Sequence, residues 1–108
     1  MHTLPHAIAG YIDATNAGAP TRVAACFTPD ATVFDEGHLR RGRDEIEAWA
    51  RETGTRYQAT IEPAGLQEEG GRHTLRATVR GNFPGSPIAL NFRFRLQSGS
   101  TASLEIAP

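Results

Sequence analysis

Residues 27–46 read FTPDATVFDEGHLRRGRDEI, and the fold turns on how this stretch changes character along its length. Ala31-Thr32-Val33-Phe34-Asp35 is rich in β-branched and aromatic side chains, which predicts a short strand. Glu36-Gly37 predicts a turn, and His38 to Arg40 a brief return strand. From Arg43 onward Ile46, Trp49 and Ala50 share one helical face. That spacing predicts an amphipathic helix over 43–53, closed by Gly54, which buries Trp49.

Toward the N-terminus the pattern is helical. Thr3 is a candidate cap with Pro5 in the first turn, and Leu4, Ile8, Tyr11, Ile12 and Thr15 fall at helical spacing before Gly18, predicting a helix over 4–16. Pro20 to Cys26 reads as a second, short helix with Val23, Ala24 and Phe27 on one side, ended by the turn signal Thr28-Pro29-Asp30. Toward the C-terminus the period becomes two. Tyr57, Ala59 and Ile61 alternate with Arg56, Gln58 and Thr60 until Pro63 and Gly65 interrupt, which predicts an edge strand or a bulge. Beyond the hairpin signal Glu69-Gly70-Gly71, Leu75, Ala77 and Val79 face one way. After Pro84-Gly85, Ile88, Leu90, Phe92, Phe94 and Leu96 make the cleanest apolar stripe, and Ser98-Gly99-Ser100 leads to a last strand with Ala102, Leu104 and Ile106. Helices followed by an antiparallel meander predict one α+β domain over 1–108, a curved sheet whose single apolar face is covered by three helices.

Composition narrows the function. With 11 basic and 12 acidic side chains the net charge is −1, so no field favours nucleic acid or an anionic membrane. No apolar run is long enough to span a bilayer, and the first residues lack a signal-peptide pattern, from which a cytoplasmic location is expected. The single cysteine, Cys26, fits a reducing compartment and a small buried side chain. Every basic residue is arginine, so chemistry that needs a lysine amine is excluded, Schiff bases and phosphate-loop lysines included. No G-x-S-x-G elbow, paired cysteines or glycine-rich phosphate loop is found.

The helix, the short helix, the phrase Phe27-Thr28-Pro29-Asp30-Ala31-Thr32-Val33, then Arg41-Gly42-Arg43-Asp44-Glu45-Ile46 and four strands together resemble the nuclear transport factor 2-like superfamily. Within it the chain is most similar to the SnoaL-like branch, which includes polyketide cyclases and ketosteroid isomerases. The resemblance spans essentially the whole chain and implies a cone-shaped sheet, with a pocket between its concave face and the helices. Fold membership alone assigns no chemistry in a group that holds isomerases, cyclases, dehydratases, hydrolases and binding modules. The walls it implies are Phe27, Trp49, Tyr57, Leu90, Phe92 and Phe94, suited to an apolar or polycyclic small molecule; the plainer reading is that these side chains fill a core.

Asp35 shares strand parity with Ala31 and Val33, so it points inward. Aligned by motif, Asp35 falls where ketosteroid isomerases place a catalytic carboxylate. Tyr11, 24 residues earlier, falls where they place an oxyanion-hole tyrosine. An Asp walled by aromatics has its ionised form disfavoured and becomes a proton carrier near neutral pH, and an opposed phenol can donate to an enolate. Equally, Asp35 caps the turn and Tyr11 packs in the first helix. Where those isomerases hold a second, protonated acid, this chain has Phe94. His38 is an auxiliary acid or base candidate at the pocket mouth, or a solvated loop residue. With Asp35 and Glu36 it lacks the second histidine that would make a metal site, so no metal or cofactor is expected. His2, His6 and His73 read as surface residues. The outward sheet face, carrying Gln58, Thr60, Arg76, Thr78, Arg80, Asn91, Arg93 and Arg95, predicts a homodimer interface, with Glu62 or Glu105 of one copy meeting arginines of the other. Two functions stand: a cofactor-independent isomerase, cyclase or dehydratase using Asp35 and Tyr11, and a non-catalytic ligand-binding or dimerisation module. An open cavity reached by both residues separates them.

Overall fold

A computed structural model describes residues 3–108. His2 therefore lies outside the described residues. Three helices, α1 (His6–Asn16), α2 (Pro20–Ala25) and α3 (Arg43–Tyr57), pack on one face of a sheet built from β1 (Phe27–Asp35), β2 (His38–Arg41), β3 (Thr60–Glu69), β4 (Arg72–Arg80), β5 (Ile88–Gln97) and β6 (Ser100–Ala107). The strand order is β2-β1-β6-β5-β4-β3. The α+β class and the curved sheet agree with expectation, but the sheet is mixed. β6 pairs with β1 in parallel, bringing the last strand beside the first, while every other pairing is antiparallel.

Three boundaries move, each for a physical reason. Pro5, not Thr3, stands at the N-cap of α1, where its carbonyl accepts from the Ala9 amide and no side chain caps the helix. The Thr28-Pro29-Asp30 signal does not end in a turn: β1 already begins at Phe27, and these residues occupy the irregularity between Phe27 and Thr32, where Pro29, with no N–H, interrupts no ladder bond. Helix α3 runs through Gly54 to Tyr57, so residues 55–57 are helical and not strand. The ion pair Glu52–Arg56, at i,i+4, spans the glycine. It stops where Gln58 turns left-handed (φ 48°). Pro63 behaves as predicted on both counts, since β3 is an edge strand and its register shifts between Pro63 and Gly65.

The core joins the two layers. Ile8, Tyr11 and Ile12 from α1 and Ile46 and Trp49 from α3 pack onto Val33, Leu75, Phe92, Phe94 and Leu104, all nearly or fully buried. Each such side chain contributes roughly 1.5–3 kcal/mol by leaving water. The alternation read for β4 and β5 matches the observed burial, so the concave face is apolar and the convex face carries the arginines. His73 departs from its surface reading: it is half-buried, opposite Phe94, with Nδ1 enclosed and without a partner.

Candidate functional site

A cavity of about 320 Å³ opens between α3 and the concave face of the sheet, and Asp35, Tyr11, Trp49, Tyr57, Leu90 and Phe92 all border it. Asp35 reaches it because β1 alternates: Ala31 and Val33 are fully buried on the same side, and Asp35 is the next residue on that side as the strand ends. Its Oδ2 accepts from the Trp49 indole N–H at 3.1 Å. The adjacent Arg40 does not bind the carboxylate; its Nη1 donates to the main-chain carbonyls of Asp35 (2.7 Å) and His38 (3.2 Å), pinning the hairpin end. Burial pushes the Asp35 carboxyl above its usual range, and Glu36 adds to the rise. The Trp49 hydrogen bond and the Arg40 charge oppose it.

Tyr11 is 3% exposed, its ring held edge-on or tilted by Phe27, Phe92 and Phe94 at centroid distances of 6.2, 6.2 and 5.6 Å. Burial first, and then the negative charge of Asp35, hold its phenol well above the ordinary tyrosine range, so it remains a protonated donor at any physiological pH. Phe27 and Phe94, both expected on the cavity wall, stand behind Tyr11 at 0% and 1% exposure and do not border the cavity. His38 is exposed at the start of β2, paired with Asp35 in register, and likewise does not border it. Among the described residues, no three His, Cys, Asp or Glu side chains cluster as metal ligands would.

The mouth holds features that sequence reasoning missed. Glu36 borders the cavity, and its carboxylate accepts from the Tyr57 hydroxyl at 3.1 Å. Tyr57 is reached only because α3 continues past Gly54, and its ring meets Phe83 edge-on at 5.9 Å. A signal was present: Glu36 and Gly37 both have positive φ (53° and 76°), as a two-residue hairpin turn of type I′ requires, and a glutamate is an uncommon choice there. The apolar rim is completed by Phe83, Pro84 and Ile88, from the connection and the start of β5. Among the described residues, Asp35 and Glu36 are the only charged ones on the wall.

Known proteins of this shape share the arrangement of elements. A Sinorhizobium meliloti protein named provisionally as a polyketide cyclase superposes with a TM-score of 0.91 at 34% identity, over 95% of this chain and 94% of that one. A Catenulispora acidiphila protein with a ketosteroid isomerase-like fold, solved with trimethylamine, matches at 20% identity and TM-score 0.87, over 98% and 87% of the two chains. SalBIII, an epoxide hydrolase/cyclase-like enzyme of pyran-ring formation in salinomycin, matches at 21% identity and TM-score 0.80, over 94% and 86%. These last two speak for the fold. No curated protein matches the chain. The family model for SnoaL-like domains matches residues 8–103, nearly the full length, and the chain belongs to the SnoaL-like domain family.

Proposed function

We propose that the protein is a cofactor-independent isomerase, cyclase or dehydratase acting on an apolar carbonyl compound, with Asp35 as general base and Tyr11 as hydrogen-bond donor. The observation that carries this reading is that Asp35 and Tyr11 both border one apolar cavity large enough for a small ligand. In the shared first step the Asp35 carboxylate takes a proton from the carbon next to the carbonyl, and the electron pair moves onto the carbonyl oxygen as an enolate. The Tyr11 hydroxyl donates a hydrogen bond to that oxygen, and Asp35 returns the proton to carbon. Burial suits both roles: it raises Asp35 toward the pH at which it works and keeps Tyr11 protonated. The 34% identity to the Sinorhizobium protein supports the same class. The functional unit in this reading is a homodimer joined through the convex sheet face.

A second reading, a non-catalytic ligand-binding module, is favoured by Phe94: it is buried behind Tyr11, and by the resemblance it stands where ketosteroid isomerases hold a second acid, which would leave one donor for an oxyanion. Proton exchange separates the two. With 2-tetralone in D2O, followed by NMR, the wild type should accelerate deuteration at the carbon next to the carbonyl. Asp35→Asn should lower the enzymatic rate roughly 100-fold or more. Tyr11→Phe should lower it less, because one neutral donor is lost and the ring remains. Bound tetralone with no acceleration by the wild type assigns the protein to the binding class.

A further inference from the structure

Trp49, Thr53 and Tyr57 succeed one another at four-residue spacing and form a single stripe along α3, and this stripe has space on both flanks. One flank is the cavity of Asp35. The other is a second cavity of about 290 Å³, between α3 and the connection from α1 to α2. Tyr11, Trp49, Thr53, Tyr57 and Ala59 border both. The reacting end of the first cavity is thus also a wall of the second.

Part of the second cavity's own wall is small: α1 and the connection supply Ala14, Thr15, Gly18 and Ala19, and α3 supplies Ala50 and Gly54, beside the larger Pro20, Val23 and Arg51. Gly18, Gly54 and Thr55 are exposed, so the space opens to solvent along this edge, and a Cβ added at Gly54 would meet no heavy atom within 4 Å. Its chemistry also differs from that of its neighbour. Threonine hydroxyls are on the wall, including Thr15 and Thr55, and neither Asp35 nor Glu36 borders it. Its one charged residue, Arg51, is already paired with Glu47 at 2.8 Å, so the wall offers hydrogen bonds without a free charge.

We propose that this helix-side cavity is a second subsite adjoining the first across the stripe of Trp49, Thr53 and Tyr57, and that the ligand is an elongated neutral molecule: a carbonyl-bearing apolar ring system against the sheet and a hydroxylated tail between α3 and the α1–α2 connection. The proposal rests on the reading of the first cavity as a carbonyl site and names the substrate class of that site. The carbonyl lies at Tyr11, which borders both spaces, and the tail turns past Trp49 and Tyr57.

The test compares 2-tetralone with the same ketone bearing a 6-hydroxyhexyl chain, by titration calorimetry. The wild type should bind the extended probe at least tenfold tighter. Gly54→Leu fills the second cavity without bordering the first, and should bind both probes alike while its affinity for 2-tetralone is unchanged. Because leucine is the better helix former, its melting temperature should match or exceed the wild type's. Ala50→Leu, at a position that also borders only the second cavity, should act in the same direction. Equal affinity of the wild type for the two probes overturns the proposal and leaves the carbonyl reading standing, as does a folded Gly54→Leu or Ala50→Leu variant that keeps the full preference. If the wild type binds neither probe, the carbonyl reading and the proposal fall together.

Discussion

Asp35 holds its place by two separate attachments, and they do different things. Arg40 fixes its main chain, while the Trp49 indole N–H donates to one carboxylate oxygen. The carboxyl is raised by burial, so in the folded chain it binds its proton more tightly than in the unfolded chain. Its contribution to stability is thus complete below the ordinary carboxylate pKa of about 3.9 and is lost as pH rises through the raised folded-state value. Asp35→Asn removes this dependence and keeps a side-chain oxygen to accept from Trp49. The melting temperature of Asp35→Asn relative to wild type should therefore increase from acid toward neutral pH, as read by circular dichroism. A difference that stays flat or shrinks over that range would show that burial does not govern this carboxyl.

At the scale of elements, the end of α3 sets the cavity mouth. Tyr57 is its last residue, with its carbonyl accepting from the Asn82 amide at 2.7 Å and its hydroxyl tethered to Glu36. Gly81 abuts this corner: a Cβ there would stand 2.7 Å from the Tyr57 carbonyl oxygen and 3.0 Å from the Ala59 Cα, both backbone atoms that cannot rotate away. Gly81→Ala should destabilise by about 1–3 kcal/mol in urea unfolding, with the Tyr57 corner displaced; a change below about 0.5 kcal/mol would mean the corner is loose. The same corner shows what one sequence reveals. Tyr57, Ala59 and Ile61 alternate as a strand would, yet Trp49, Thr53 and Tyr57 also repeat at i,i+4, and the second pattern prevails because α3 has packing partners and ion pairs to sustain it. The faces of β4 and β5 were readable because the middle of one side of each is buried, at Leu75, Ala77 and Val79 and at Phe92 and Phe94. The parallel pairing of β1 and β6 was not, since it is set by how the chain closes and not by any local pattern. Asp35 and Tyr11 were singled out as candidates through strand parity and family resemblance, whereas Glu36 first looked like turn chemistry. The helix-side cavity left no motif, because a void comes from side chains that are small.

For the whole molecule, the proposed homodimer rests on the convex face. Arg72 lies opposite Arg95, and Thr74 opposite Arg93, on the face of β4 and β5 turned away from the core. Two acids expected to reach across to a second copy are engaged within the chain, Glu105 with Arg93 at 3.4 Å and Glu62 with Arg80 at 3.9 Å, all four side chains half or more exposed. Such exposed pairs are worth little and re-form readily with new partners. A homodimer is the expected state, and light scattering at micromolar concentration should give twice the 11.7 kDa chain mass; a monomer mass rules out this assembly. No helix among the described residues is long and apolar enough to cross a membrane. The central claim, that one carboxyl serves a cavity shared with Tyr11, is tested most directly by carbon-13 NMR titration of Asp35 with and without 2-tetralone, using Asp35→Asn to assign the signal. The carboxyl should titrate above about 3.9 in the free protein and shift further when tetralone excludes water from around it. A carboxyl that titrates at the ordinary value and ignores saturating tetralone would contradict the account.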